Sequence, residues 1–474
     1  MSQDKYQMDM CHGPLLKKIV LFTLPLIGSY ILQLTFNAVD LIIIGRYTDH
    51  QSLAAIGNTI NFNALVINLL VGCSVGGNVL AANRMGARDT EGMSKAVHTS
   101  IAIGLWGGIA IMIIGLAISE PMLSRMGTPD EILPKSCTYI RICFLGLPCI
   151  MLYNFGCAIL RAVGDTRRPF YYLIVAGIVN VLLNLFFVIV CKMNVEGVAI
   201  ATVVSHIVSA VLVIWAVCKL PEEYRLTLRK FKIDFYSFKE IIRIGAPAGI
   251  SSSCFSVSNI VVQSAINSFG AIAMAAAAAA VALEGLIYVG ALALHQAATT
   301  FVAQNLGGNQ YKRILRSVLW CYLCVVIVNL VTGFIFFWQG RFMVGLFNPD
   351  PDVIREGVLR LKILTMTYFL CGLMDVSSGA LRGLGYSVIP AFFSLGGACV
   401  FRILWVIYIL PLHRTMEILL ISYPFSWILV GASLMIFFFI VYRRLIRTKC
   451  RKTVLWSKNG PGVPRGYRTL GGSR

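Results

Sequence analysis

Apolar runs long enough to cross a lipid bilayer recur along almost the whole chain, and no other sequence feature restricts the fold as strongly. A spanning helix needs about 20 mainly apolar residues. Runs of that size fall near 17–45, 55–83, 95–119, 137–160, 169–191, 196–218, 240–268, 271–303, 316–338, 359–381, 389–411 and 416–442. The chain is 57% hydrophobic and 13% charged, whereas a soluble domain carries roughly 25% charged residues. So much apolar surface has to face lipid. The fold expected is an all-α polytopic membrane protein of about twelve transmembrane helices, because helices satisfy their own backbone hydrogen bonds in a bilayer.

The net charge of +20 raises nucleic-acid binding as an option, but the placement of the charges favours topology. Lys and Arg gather at Arg84/Arg88/Lys95, Arg161/Arg167/Arg168, Arg225 to Arg243, Lys312/Arg313/Arg316 and from Arg443 onward, on alternate connections. That is the positive-inside bias. It predicts a multi-pass protein of the plasma membrane with both termini cytoplasmic and no nucleic-acid partner. Residues 1–14 are polar and the first apolar run exceeds a signal-peptide core, so no cleaved signal is expected. The 14 cysteines lie mostly within spans. Cys321 and Cys324 form a CxxC without companion ligands, which predicts small buried residues rather than a disulfide framework or a metal site.

The spans fall into two similar halves. Leu160-Arg161-Ala162-Val163-Gly164 with Pro169 recurs 221 residues later as Leu381-Arg382-Gly383-Leu384-Gly385 with Pro390. Gly86 in NRMGARD meets Gly307 in QNLGGNQ at the same offset, and Pro25 meets Pro247 after one gap. Six spans per repeat is an even number, so both halves enter from one side. They are expected to form two pseudo-symmetric six-helix bundles related by an axis along the membrane normal, with a site between or within them. The organisation predicted is a cytoplasmic segment over 1–14, an N-terminal bundle over 15–219, a charged linker over 220–239, a C-terminal bundle over 240–446, and a basic, disordered tail over 447–474. Met274 and Ala275–Ala280 open the eighth span with small residues, suited to close helix packing or to a sliding surface.

Away from the span ends, acids are rare: Asp40, Glu284 and Asp375. A charge near the bilayer centre costs about 2.5–3.5 kcal/mol on insertion scales, so such groups mark ion paths or pair with buried arginines. Asp40 shares a helix face with Asn37, one turn earlier, and no basic residue lies near it in its span. Asn180 and Asn184 are spaced i, i+4, and Thr202 lies early in the next span. These oxygens suit a hard cation such as Na⁺, with Asp40, Asn180, Asn184 and Thr202 as possible ligands, while a carboxyl in an apolar pocket can instead carry a proton. Asparagines that simply hold helices together are the alternative. At offset 221, Asn63 corresponds to Glu284 and Asn154 to Asp375, so two neutral positions of the first half are acidic in the second. Arg402 is the expected counter-charge for Glu284 or Asp375, as a structural ion pair or as part of a substrate site. His295 is a candidate proton relay or a hydrogen-bonded core histidine.

Taken in order, FNAVDLIIIG, NRMGARD, AILRAVGDTRRPF, GIVNVLLNLFFV, VEGVAIATVVSH, ATTFVAQNLGGN and GALRGLGYSVIPAFF resemble the multidrug and toxic compound extrusion (MATE) family over roughly residues 15–445. The resemblance implies twelve helices in two bundles around a cavity. It also implies a monomer that exports amphipathic or cationic small molecules in exchange for H⁺ or Na⁺, with no other cofactor. An aspartate matching Asp40 is central to coupling in that family, and the accompanying polar positions match Asn180, Asn184 and Thr202. Many relatives carry aspartate where this chain has Asn184, and some carry glutamate where it has Phe255. Glu284 and Asp375, with Arg402, Asn63 and Asn154, are then candidates for substrate recognition. Two other transporter classes compete: a lipid-linked oligosaccharide flippase of the same superfamily, and a major-facilitator antiporter. No HExxH, GxSxG or Walker-type loop supports an enzyme.

Overall fold

The computed structural model describes residues 6–48, 50–125, 128–227, 229 and 231–458. The helices follow in order as α1 (Leu15–Tyr47), α2 (His50–Gly86), α3 (Thr90–Arg125), α4 (Leu133–Leu145), α5 (Leu147–Ala162), α6 (Arg167–Leu185) and α7 (Val195–Cys218). The second half contains α8 (Phe235–Asn267), α9 (Ala271–Gly307), α10 (Tyr311–Gly345), α11 (Pro351–Thr365), α12 (Tyr368–Gly383), α13 (Val388–Ser394), α14 (Phe401–Leu404) and α15 (Met416–Lys458). Widened π-type turns at Phe186–Val190, Leu395–Val400 and Trp405–Ile409 extend α6 and join α13, α14 and the turn beyond it into one rod. Among the described residues, nine helices are long and apolar enough to cross a membrane, or eleven if each bent pair counts as one. The remaining long helix, α8, falls outside that set. It is as long as α1, 33 residues, but carries Ser251, Ser252, Ser253, Ser256 and Ser258.

The bends occupy matching places in the two halves. α4 meets α5 at 42°, and α11 meets α12 at 45°. Pro148 enforces the first break, since proline has no N–H for the preceding turn and fits best at a helix start. In the second, Thr367 Oγ1 donates back to the carbonyls of Ile363 and Leu364, 3.0 Å each, loosening the backbone ladder. The last helix runs to Lys458, so the helical rod continues past residue 447, where the tail was expected to begin. The remainder of that segment, 459–474, lies outside the described residues.

The repeated sequence motifs are helix stops. Gly164 and Gly385 adopt φ of 88° and 87°, a region that costs glycine little. Each lets the next amide, Asp165 or Tyr386, bond back to Leu160 or Leu381 at 2.9 Å. Arg88 and Asn309, both at φ 56°, close α2 and α9 in the same manner, with Asp89 bonding to Arg84 and Gln310 to Asn305.

Each bundle lends its first helix to the other. The early part of α1 packs Leu15, Ile19, Phe22 and Leu26 into the C-terminal core, where Phe22 meets Phe301 edge-to-face at 5.7 Å. The early part of α8 packs Ile241, Ile244 and Ala248 into the N-terminal core. Glycines permit this second approach. A Cβ on Gly72 would strike Gly249, and one on Gly245 would strike the Cys73 carbonyl. The helix ends that carry the basic loops are therefore interlocked. The alanines of α9 serve close packing: Ala279 and Ala280 share a buried cluster with Phe336, Val344 and Leu361, and Ala273 and Ala277 share another with Val262 and Ile266.

Candidate functional site

The α1–α6 contact assembles the N-terminal cluster. Gly177 admits the Phe36 ring against the α6 backbone, which draws α1 close enough for its next turn to reach Asn184. Asn184 Nδ2 donates to Asp40 Oδ1 at 2.6 Å and lies 3.3 Å from Asn180 Oδ1. Asn180 and Asn184 are buried, and Asn184 Oδ1 has no partner among the described residues. A buried acceptor left open beside a carboxylate is a place where a proton-bearing group or a small hard cation gains a bond. Tyr139 lies within electrostatic range of Asp40, a neighbour the sequence pattern did not single out.

On α1, Gln33, Asn37 and Asp40 follow at i, i+4 and i+7, forming one polar stripe. Gln33 and Asn37 are exposed, as are Leu34, Thr35 and Ala38 around the rest of the helix. This stretch of α1 is thus sparsely covered, and Asp40 ends its polar stripe. Thr202 is half-buried on α7 and turns its hydroxyl to its own helix, bonding Val198 O at 2.9 Å. Asp40, Asn180 and Asn184 are therefore in contact, whereas Asn37 is exposed and Thr202 is engaged locally.

The C-terminal candidates do not converge. Glu284 is buried and holds Arg360 through two bonds, Oε1 to Nε at 2.6 Å and Oε2 to Nη2 at 3.0 Å. Tyr368 also donates to Glu284, at 3.4 Å. Arg402, expected to neutralise Glu284 or Asp375, does neither. Its Nε donates to Ser426 Oγ at 3.0 Å, and its guanidinium lies 4.1 Å from the Tyr423 ring centroid. The reason is steric: α11 brings Arg360 onto α9, whereas Arg402 lies in the α13–α14 rod and faces α15. Arg360 escaped the sequence pattern because it stands among Arg355, Glu356 and Lys362, where the span looks like a solvated end.

Asp375 has a separate setting. Tyr288 and Arg382 are its polar neighbours, and Oδ2 is buried without a partner among the described residues. His295 Nδ1 is 2.8 Å from the Asp375 carbonyl oxygen, and Nε2 lies 3.4 Å from Arg382 Nη1. With Nε2 accepting from a guanidinium, His295 carries its proton on Nδ1 and is a hydrogen-bonded core histidine. Asn63 is half-buried. Asn154 bonds its own helix at Ile150 O, 2.8 Å.

A polar clasp not foreseen from sequence joins the two bundles toward the basic end. Asn78 Oδ1 accepts from Thr300 Oγ1 at 3.0 Å and Gln296 Nε2 at 3.4 Å, while its Nδ2 donates to Ala158 O at 2.9 Å. Gln304 donates to Ala162 O at 2.6 Å across the bundles and accepts from Met10 N at 3.2 Å. The preceding segment bonds Met8 N to Val163 O at 3.1 Å, and Arg313 Nε holds Met10 O at 3.0 Å. Residues 8–12 are thus a strap between the two halves.

Comparison with known proteins agrees with this architecture. The MatE family model matches residues 25–186 and 247–407, one stretch in each half. The probable multidrug resistance protein YoeA of Bacillus subtilis is 27% identical over 389 residues, covering 80% of this chain and 83% of its own. The probable multidrug resistance protein NorM of Thermotoga maritima is 25% identical, covering 79% and 81%. Among solved structures, an outward-facing multidrug resistance MATE transporter superposes with TM-score 0.88 at 22% identity, over 94% of this chain and all of that one.

Proposed function

Because the chain belongs to the MatE family of membrane transporters, we propose that it is a secondary exporter that expels organic cations or amphipathic drugs in exchange for H⁺ or Na⁺. Membership sets aside the major-facilitator alternative and an enzymatic role. The carrying observation is the Asp40–Asn184–Asn180 cluster. It is a carboxylate in a membrane span, hydrogen-bonded to a neutral amide, beside a buried oxygen with no partner among the described residues, at the end of the polar stripe of α1.

In this proposal the cation or proton is taken up where charge on Asp40 meets open acceptors. Loading removes the repulsion between those oxygens and draws α1 and α6 together. That changes the energy of the α1 and α8 crossings and opens the clasped end while the cleft closes. Glu284, already paired bidentately, acts as a structural group, and Asp375 is the C-terminal acid left to attract a cationic substrate. The protein works as a monomer in the plasma membrane, with the basic end and both termini on the cytoplasmic side, consistent with the basic loops.

The test is export activity, read as dye uptake into the lumen of inverted vesicles, with a proton gradient and a sodium gradient imposed separately. Uptake driven by one or both supports the exchange. Uptake that neither gradient drives, in vesicles holding folded protein, defeats it.

A further inference from the structure

We propose that the N-terminal bundle carries a binding site for an acidic phospholipid, in a pocket between the basic ends of α6 and α7. A cavity of about 450 Å³ lies there, lined by Tyr6, Arg168, Tyr171, Tyr172, Trp215 and Lys219. Lys219 Nζ stands 3.6 Å from the Trp215 ring centroid, and the Arg168 guanidinium 4.9 Å from that of Tyr6. Arg168 is anchored by the buried Asp165 carboxylate. Lys219 meets no carboxylate within ion-pair distance among the described residues.

Depth, charge and shape agree on the occupant. The apolar span of α6 begins at Arg167 and that of α7 ends at Cys218, which puts the pocket at headgroup level, where Tyr, Trp and cationic side chains anchor proteins to lipid. Below it, α6 exposes Val175, Ile178 and Leu182 and α7 exposes Ile207 and Val211, an apolar track for acyl chains continuous with the cationic mouth. A phosphate at this mouth gains Lys219 as its counter-charge, with Arg168 on the same lining, and basic pockets between helices on the cytoplasmic side take acidic lipid headgroups. A free phosphate ester shares the headgroup chemistry but makes no use of the track. The pocket's last α6 residue, Tyr172, precedes Asn180 by about two turns of helix, so the site is separate from the Asp40 cluster and holds whatever the protein exports.

The experiment uses the full chain in phosphatidylcholine nanodiscs doped with either phosphatidylglycerol or phosphatidylcholine that carries brominated acyl chains. The Trp215 contribution to quenching is obtained by difference with Trp215→Phe. Brominated phosphatidylglycerol is expected to quench Trp215 at markedly lower mole fraction than brominated phosphatidylcholine. Lys219→Glu is expected to weaken that preference roughly tenfold, and Lys219→Arg to retain it. Lys219 is exposed, so both variants fold. Equal quenching by the two lipids, or an unchanged preference in Lys219→Glu, overturns the site. Displacement of the lipid by millimolar glycerol phosphate overturns the assignment to lipid.

Discussion

Gly86 and Gly307, 221 residues apart, each lie against the other half's backbone at the same repeat position. A Cβ on Gly86 would collide with the Gln304 carbonyl oxygen, and one on Gly307 with the Asn83 carbonyl oxygen. Asn83 and Gln304 are themselves repeat partners. The crossing of α2 and α9 is therefore pseudo-twofold, and it seals the basic end. Gly86→Ala or Gly307→Ala is expected to cost about 1–3 kcal/mol in the sealed state, the usual range for overpacking. Labelling of a cysteine placed at Thr300 from the basic side should speed up in either variant. Unchanged labelling with unchanged thermal stability would show that the crossing yields freely.

Asp40→Asn keeps the size of the side chain while removing its charge. Gradient-driven efflux should fall by roughly tenfold or more, given how costly an intramembrane charge is to keep without a role. Protein yield and melting temperature should stay close to wild type. Efflux and ion coupling equal to wild type would remove Asp40 from the mechanism.

Arg360→Met strands Glu284 in an apolar surrounding. Loss of one partner from a buried pair costs about 3–5 kcal/mol, whereas replacing both is often near neutral. Thermal unfolding in detergent should therefore show a large loss for Arg360→Met and recovery when Glu284→Gln is added. If Glu284 is structural, the double variant also retains its affinity for an organic cation. A large affinity loss in that stable double variant would return Glu284 to substrate recognition.

Asp234 caps α8 from outside the membrane span, accepting from Ser237 N and Ser237 Oγ at 2.8 Å each. These bonds, the backbone one foremost, hold its carboxyl below the ordinary carboxylate value. A depressed folded-state pKa gives stability that is complete above the unfolded value, about 3.9, and disappears as pH falls through the folded one. Asp234→Ala should cost about 1 kcal/mol at neutral pH. The gap between variant and wild type in urea or thermal melts should close as the pH drops below about 4. A gap independent of pH would mean that the carboxylate is not the cap.

Much of the fold is legible in the sequence. Apolar length marks the crossings, because lipid leaves no other use for such runs, and the 221-residue repeat marks the halves. Asp40, Asn180 and Asn184 were also legible as a group. Their rarity and i, i+4 spacing carry chemistry that does not depend on the exact placement of neighbouring helices. Glu284 shows the limit. Its charge stood out, but its partner came from α11, a segment whose mixed charges resemble a water-exposed helix end.

What the sequence by itself determined is therefore one-dimensional: which segments enter lipid, which end is basic, where helices stop at Gly164 and Gly385, and which acids are unusual. Tertiary structure decided what those groups face. It sent the first parts of α1 and α8 into opposite bundles, paired Glu284 with Arg360 instead of Arg402, and made Asn78 and Gln304 a clasp. In lipid the hydrophobic effect is spent on inserting each helix and hardly discriminates among helix neighbours. Partner choice falls to close backbone approach at glycines and to polar groups seeking one another, and both depend on geometry between segments far apart in the chain.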